Sequence, residues 1–216
     1  MPLEVIVVEN YEIMSDAAAS ILILEMSQAT VSEGRKFNLG LAAGRSPLGL
    51  YLRIARRQGE FDSTNIRSWN LDEYAGLPEN HPESYAFQME QNLFGKLNPR
   101  FAKVFIPEGY KIDAARLEDE LKGKPQTAGL DGRYSGKAIV IKNFSGYTGR
   151  IKRTILVPYL ESIVSAGGID WQIAGVGRKG HVGFHESGVP LEYGIMLVKL
   201  SDETIADAVK DGHFLS

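Results

Sequence analysis

An α/β architecture built on a mostly parallel sheet, with helices over both faces, is the fold class that this sequence predicts. Three observations carry the prediction. Short β-branched apolar runs alternate along the chain with longer segments of helical period. The 216 residues are 44% hydrophobic, enough to bury a substantial core. Three predicted strands, ending at Ala42, Leu71 and Val176, run into unusual loops, and in sheets of this class ligands collect at the carboxyl ends of strands.

The elements follow in order. Leu3 to Val8 is a β-branched run and predicts a first strand. Glu12 to Val31 carries Ile13, Ala17, Ile21 and Leu24 at helical spacing, and Gly34 closes that helix. Phe37 to Ala42 predicts a buried strand. The turn Gly44-Arg45-Ser46-Pro47 leads into a helix reaching to about Gln58, and Pro47 suits its first turn. Ile66 to Leu71 is the next strand. Pro82 to Leu97 is a helix with Tyr85, Met89 and Leu93 on one face. Val104 to Ile106 is a short strand stopped by Pro107, and Asp113 to Lys122 is a polar helix. Gly123 to Gly136 reads as a loop, and Lys137 to Ile141 as a strand. Arg150 to Ala166 predicts a helix that Pro158 should kink. Asp170 to Val176 predicts another buried strand, and Leu197 to Leu200 a short one with a helix after Ser201. No internal repeat or low-complexity tract divides the chain, so a single domain over residues 1–216 is expected.

The totals exclude several classes of partner. A net charge of −3 gives no sign of a nucleic-acid surface. Zero cysteines exclude disulfides and thiolate metal sites and are compatible with a reducing cytoplasm, the expected location. Met1 to Asn10 lacks the basic start of a signal peptide, and the apolar runs are too short to span a bilayer, so no membrane partner is expected.

The three loops carry the candidate chemistry. In the first, a helix N-terminus offers backbone N–H groups and a positive dipole end. Gly44 permits close approach of the backbone, Ser46 has a hydroxyl to donate, and Arg45 can pair with a phosphate. A capped helix with no ligand is the plainer reading of the same residues. The second loop holds Asp72 and Glu73. Neighbours on an extended segment point to opposite sides, so one carboxylate can face a cleft while the other caps or pairs, and Asp72 is the choice for the cleft. A carboxylate there is placed to take a proton from a carbon beside a carbonyl; a solvated strand end is the alternative. The third loop, Gly175 to Glu186, matches GxGxxG at Gly175, Gly177 and Gly180, but Gly183, Gly188 and Pro190 make a poor helix after it, which argues against a dinucleotide. His181 lies in this glycine-rich loop rather than on an apolar helix face, with Glu186 available to orient it. His185 is a second candidate or a surface residue. The H-x-x-x-H spacing of His181 and His185 would suit a helix, which this segment is not, so no metal is assigned.

The three segments GLAAGRSPLGLY from Gly40, NLDEYAGLPENHPESY from Asn70 and GVGRKGHVGFHESG from Gly175 resemble the glucosamine-6-phosphate deaminase/isomerase family, whose fold is shared with 6-phosphogluconolactonases. They stand in the family's order, and the DEYAGLP…HPESY run and the GFHE ending resemble its deaminase side. The resemblance implies a three-layer α/β/α sandwich of modified nucleotide-binding type that holds no nucleotide. It implies that Gly44, Arg45 and Ser46 form a phosphate loop, that Asp72 moves a proton between C2 and C1 of the sugar, and that His181 opens the ring with help from Glu186. Tyr74 and Tyr85 would line the cleft, and Glu73 and Lys179 stand beside these as further candidates for substrate binding. The implied partner is a small sugar phosphate, with no cofactor. Family members are often oligomeric, which allows a homo-oligomer. Two other readings stay open on the same fold: a 6-phosphogluconolactonase-type hydrolase or other sugar-phosphate isomerase, and a non-catalytic sugar-phosphate binder.

Three departures from the family pattern stand out. Lys179 occupies a position where the deaminases have Asp or Asn, the residue that helps orient the ring-opening histidine. Residues from about Gly123 to Lys152 look like an insertion, carrying Lys137, Lys142, Arg150 and Lys152 with Arg153 just beyond. The family continues past the point reached at Ser216 through a strand and helix bearing a phosphate-binding lysine, so the expectation is either that the C-terminal part is missing or that a different residue does that work. His213 falls near the family's phosphate-binding arginine.

Overall fold

The computed structural model describes residues 4–122, 139–141, 144–177, 180–185, 194–200, 204–206 and 209. Helix α1 (Tyr11–Ser27) starts where the Asn10 side chain accepts the Ile13 N–H, and it runs into a π-helical turn, Gln28–Ser32. Strand β1 (Phe37–Leu41), helix α2 (Leu48–Arg56), strand β2 (Ile66–Asn70), helix α3 (Tyr85–Asn92) and strand β3 (Lys103–Phe105) follow in alternation. Helix α4 (Ala114–Leu121) is capped by the Asp113 side chain on the Arg116 N–H. Beyond it lie β4 (Ile139–Val140), α5 (Gly146–Ile151), α6 (Val157–Ser165), β5 (Trp171–Gln172) and β6 (Val198–Lys199).

The main sheet has the order β3-β2-β1-β5, all parallel, and β4 pairs with β6 in a separate antiparallel ribbon. Parallel register places Phe37 beside Ile66, Leu39 beside Ser68 and Leu41 beside Asn70, so these residues share one face. That face packs on Leu22, Ile23 and Met26 of α1 and on Leu50, Tyr51 and Ile54 of α2. The other face carries Asn38, Arg67 and Trp69. The Asn38 amide donates to the carbonyls of Ala166 and Gly168, Arg67 donates to Ala166 O, and Trp69 Nε1 donates to Ser162 Oγ, all on or just beyond α6. Helices therefore cover both faces, as the alternation predicts. A second apolar cluster gathers Ile112, Tyr147, Ile151, Ile155 and Leu156.

Pro158 sits in the first turn of α6, directly after a π-helical turn, Lys152–Leu156, that follows α5. The widened turn absorbs the interruption that a proline forces on a long helix. Two strand expectations are corrected. Residues 4–8 belong to no strand, and Val5 and Val7 are 70% and 88% exposed; a β-branched run needs a sheet edge, and none among the described residues meets it. The expected buried strand from Asp170 to Val176 reduces to Trp171–Gln172, which is exposed, because it pairs with β1 on one side and the described residues leave its other edge uncovered. The expected loop Gly123 to Gly136, with most of the predicted insertion, lies outside the described residues.

Candidate active site

The strand order reverses between β1 and β5, and a cleft of ≈ 340 Å³ is lined there by the loop after β1 (residues 42–47), the loop after β5 (175–177) and the turn containing His181, Gly183 and Phe184. This is the switch point at which open parallel sheets present strand ends to ligands. Asp72, Tyr74 and Tyr85 form part of the same wall. The three loops that the sequence singles out thus open on one cavity, with Gly44, Arg45, Ser46, Asp72 and His181 all on its lining.

The first loop differs in detail from expectation. Pro47 is the N-cap of α2 rather than a residue of its first turn, and no side chain caps the helix, so Ser46 is not a cap. Two N–H groups at the helix start are already engaged: Leu48 N donates to Arg45 O, and Gly49 N donates to the Tyr11 hydroxyl at 2.8 Å. In the turn itself, Arg45 and Ser46 are exposed at the cleft.

Asp72 separates this cleft from an apolar cavity of ≈ 220 Å³ lined by residues including Leu71, Ile112, Ile155, Leu156, Ile195 and Leu197. The residue keeps partial exposure through the cavities it borders, yet protein surrounds its carboxyl group. Desolvation, with a smaller contribution from the Glu73 charge, pushes Asp72 up to about 7, against a stabilising hydrogen bond from the Phe184 N–H. That approach needs Gly183: its φ is +56°, and a Cβ there would lie 3.0 Å from Asp72 Oδ2 and 2.7 Å from Leu71 Cδ2.

Glu73 is absent from the cleft lining and turns its carboxylate to the backbone. Its Oε1 accepts the N–H groups of Tyr74 and Tyr85 at 2.8 and 3.0 Å, and its Oε2 accepts Ala86 N–H at 2.9 Å, at the N-terminus of α3. Burial raises its carboxyl above the ordinary value, and the same three hydrogen bonds oppose the rise. Glu73 is a substrate-site candidate in the sequence; the structure gives its oxygens to the backbone, so it anchors the Asp72 loop to α3.

Tyr74 and Tyr85 pack together at 4.8 Å between ring centroids and both touch Phe184, while the Tyr85 hydroxyl donates to that of Tyr74. Burial pushes the Tyr74 hydroxyl up to about 12 and raises that of Tyr85 further, so both stay protonated donors. His181 packs over Gly177: a Cβ there would fall 2.0 Å from His181 Nε2, and Gly177 N donates to His181 O at 2.8 Å. His185 lines the apolar cavity rather than the cleft. Glu186 and Lys179 lie outside the described residues. Among the described residues no group of three His, Cys, Asp or Glu gathers as a metal site would, and no helix is long and apolar enough to cross a membrane. Sequence reasoning missed Phe184, Gly177 and Gly183 as parts of the site, although the density of glycine around His181 was the available signal.

No family model matches the chain. Curated relatives do. A glucosamine-6-phosphate deaminase of Thermoanaerobacter pseudethanolicus is 34% identical over 205 residues, covering 94% of this chain and 64% of the relative. One from Clostridium perfringens strain 13 is 33% identical, covering 94% of this chain and 67% of the relative. The chain thus spans about two thirds of the length of these relatives. Among solved structures, a monomeric glucosamine-6-phosphate deaminase superposes with a TM-score of 0.66 at 27% identity, over 96% of this chain and 70% of that one. The 6-phosphogluconolactonase of Thermotoga maritima shares the fold, with a TM-score of 0.53 at 17% identity over 89% of this chain and 74% of that one.

Proposed function

The chain belongs to the glucosamine-6-phosphate deaminase family, and on that premise we propose that it converts glucosamine 6-phosphate or a close relative to the ketose phosphate with release of ammonia. The observation that supports this most is the Asp72 carboxyl, held near neutrality on the wall of a cleft that also receives the Gly44–Ser46 turn and His181. A group that must take a proton from one carbon and return it to the next works best when its pKa lies near the working pH.

The chemistry follows from the substrate. A closed pyranose has no acidic C–H, so the ring opens first, with the His181 imidazole moving the proton between the hydroxyl and the ring oxygen. The exposed aldehyde acidifies the neighbouring C–H. Asp72 takes the C2 proton as a C1–C2 double bond forms, then returns it to C1 as C2 becomes an imine. Water adds at C2 and ammonia leaves. The phosphate, held by Gly44, Arg45 and Ser46, fixes C1 and C2 over the carboxylate, so that binding energy remote from the reaction orients it. Tyr74 and Tyr85 wall the cleft, and Glu186 and Lys179 enter this reading only through their place in the family motif.

Nuclear magnetic resonance of purified protein with glucosamine 6-phosphate in D2O tests the reading. Deuterium should enter at the carbon beside the carbonyl and ammonia should accumulate, and both should disappear in Asp72→Asn. A wild-type protein that yields neither ammonia nor exchange refutes the proposal.

A further inference from the structure

The carboxyl end of a parallel strand presents backbone carbonyls that have run out of ladder partners. Here β1 leads through Ala42 into the lining of a cleft read as an anion site, and β2 leads through Leu71 to Asp72 on the same wall. Leu41 O accepts the Leu71 N–H at 2.7 Å, which ties the end of β1 to the residue before Asp72. The Ala42 carbonyl just past β1 and the Asn70 carbonyl at the end of β2 are each met by a tyrosine. Tyr51 of α2, fully buried, donates its hydroxyl to Ala42 O at 2.6 Å, and the Tyr51 hydroxyl oxygen accepts the Ala42 N–H at 3.2 Å. Tyr159 of α6, half-buried, donates to Asn70 O at 2.5 Å. The two helices lie on opposite faces of the sheet: Tyr51 packs with Leu39 and Leu41, whereas α6 covers Asn38, Arg67 and Trp69.

We propose that Tyr51 and Tyr159 are a pair of positioning residues that clamp the ends of β1 and β2 from opposite faces, Tyr51 setting the anion-binding turn and Tyr159 setting the Asp72 loop. Ala42 opens the turn that runs to Pro47, and Asn70 stands two residues before Asp72. Tyr11 supports the far end of the same turn, donating to Arg45 O and accepting the Gly49 N–H. Neither Tyr51 nor Tyr159 lines the cleft, so they act through the backbone and not on the ligand. The inference rests on the proposed phosphate role of the turn.

The two clamps serve different loops, so their losses must separate. In Tyr51→Phe, calorimetry should show inorganic phosphate and glucosamine 6-phosphate binding about 5- to 30-fold more weakly, the range expected for a buried carbonyl and N–H left unsatisfied. Its kcat should stay within about threefold, and the pH midpoint of Asp72 should not move. In Tyr159→Phe, phosphate affinity should hold. Carbon-13 titration of the Asp72 carboxyl in the ligand-free protein should show a shifted midpoint, because the end of β2 that leads to Asp72 loses its tether to α6, and kcat should fall. Tyr11→Phe, which removes an exposed contact to the same turn, should weaken phosphate binding in the same direction as Tyr51→Phe and covers the case in which that variant does not fold. Equal effects of Tyr51→Phe and Tyr159→Phe on both readouts, or no effect of either, would overturn the clamp. A wild-type protein that binds no phosphate would instead overturn the reading of the turn.

Discussion

Asp72→Asn should make this protein more stable while abolishing its proposed chemistry. The Asp72 carboxyl is lifted from 3.8 to about 7, mainly by desolvation. Between those values the folded chain holds a proton that the unfolded chain has lost, so stability falls as pH rises from about 4 to about 7 and is level above that. At about 1.4 kcal/mol per pH unit, the ionised carboxylate costs the fold roughly 4 kcal/mol. Asparagine keeps an oxygen for the Phe184 N–H but has its own amide to desolvate, so a net gain of about 2–4 kcal/mol is expected at pH 8.5. For a chain of this size that corresponds to a rise in Tm of roughly 5–15 °C. Differential scanning calorimetry of both proteins at half-unit steps from pH 4 to 8.5 reads it directly. The variant's advantage should be near zero at pH 4 and open fully by pH 8. Equal melting at pH 8.5, or an advantage that does not shrink toward pH 4, would refute the desolvation argument.

The other predictions concern the residues that hold the site. Glu73→Gln puts an amide NH2 against backbone donors and should cost about 1–3 kcal/mol by chemical denaturation; removing the neighbouring charge should also lower the pH midpoint of Asp72 activity below its wild-type value. Gly177→Ala forces the His181 imidazole from its seat, since the added methyl would fall 2.0 Å from Nε2. Turnover of the cyclic substrate should drop by about 10²-fold or more with Tm little changed, as loss of a positioned acid–base group does, and unchanged turnover would remove His181 from the mechanism. Lys179→Asp restores the residue type of the family motif, and kcat should rise by about tenfold, a gain of roughly 1.4 kcal/mol in the barrier; a fall would show that the lysine has a task of its own.

Periodicity and local chemistry make much of this molecule legible in its sequence. The helix at Glu12 to Val31, the apolar strands at Phe37 and Ile66, and the three strand-end loops all come from patterns that span a few residues. The different tasks of Asp72 and Glu73, one on the cleft and one holding backbone N–H groups, match the division that the sequence suggests, although both lie beyond the end of β2. Leu3 to Val8 and Asp170 to Val176 misled for one reason: a β-branched run states a preference for sheet, but membership and burial depend on which edges lie beside it.

What the sequence by itself determined is the set of chemical groups and the loops that carry them, because residue type, glycine content and turn position are local properties. Only the tertiary structure decided how strongly those groups are tuned. The lift on Asp72 needs apolar walls from Ile112, Ile155 and Leu197, and the strand ends need hydroxyls from Tyr51 and Tyr159, the latter 89 residues along the chain from Asn70. Desolvation and hydrogen bonding depend on distance in space, and the folded chain alone sets those distances.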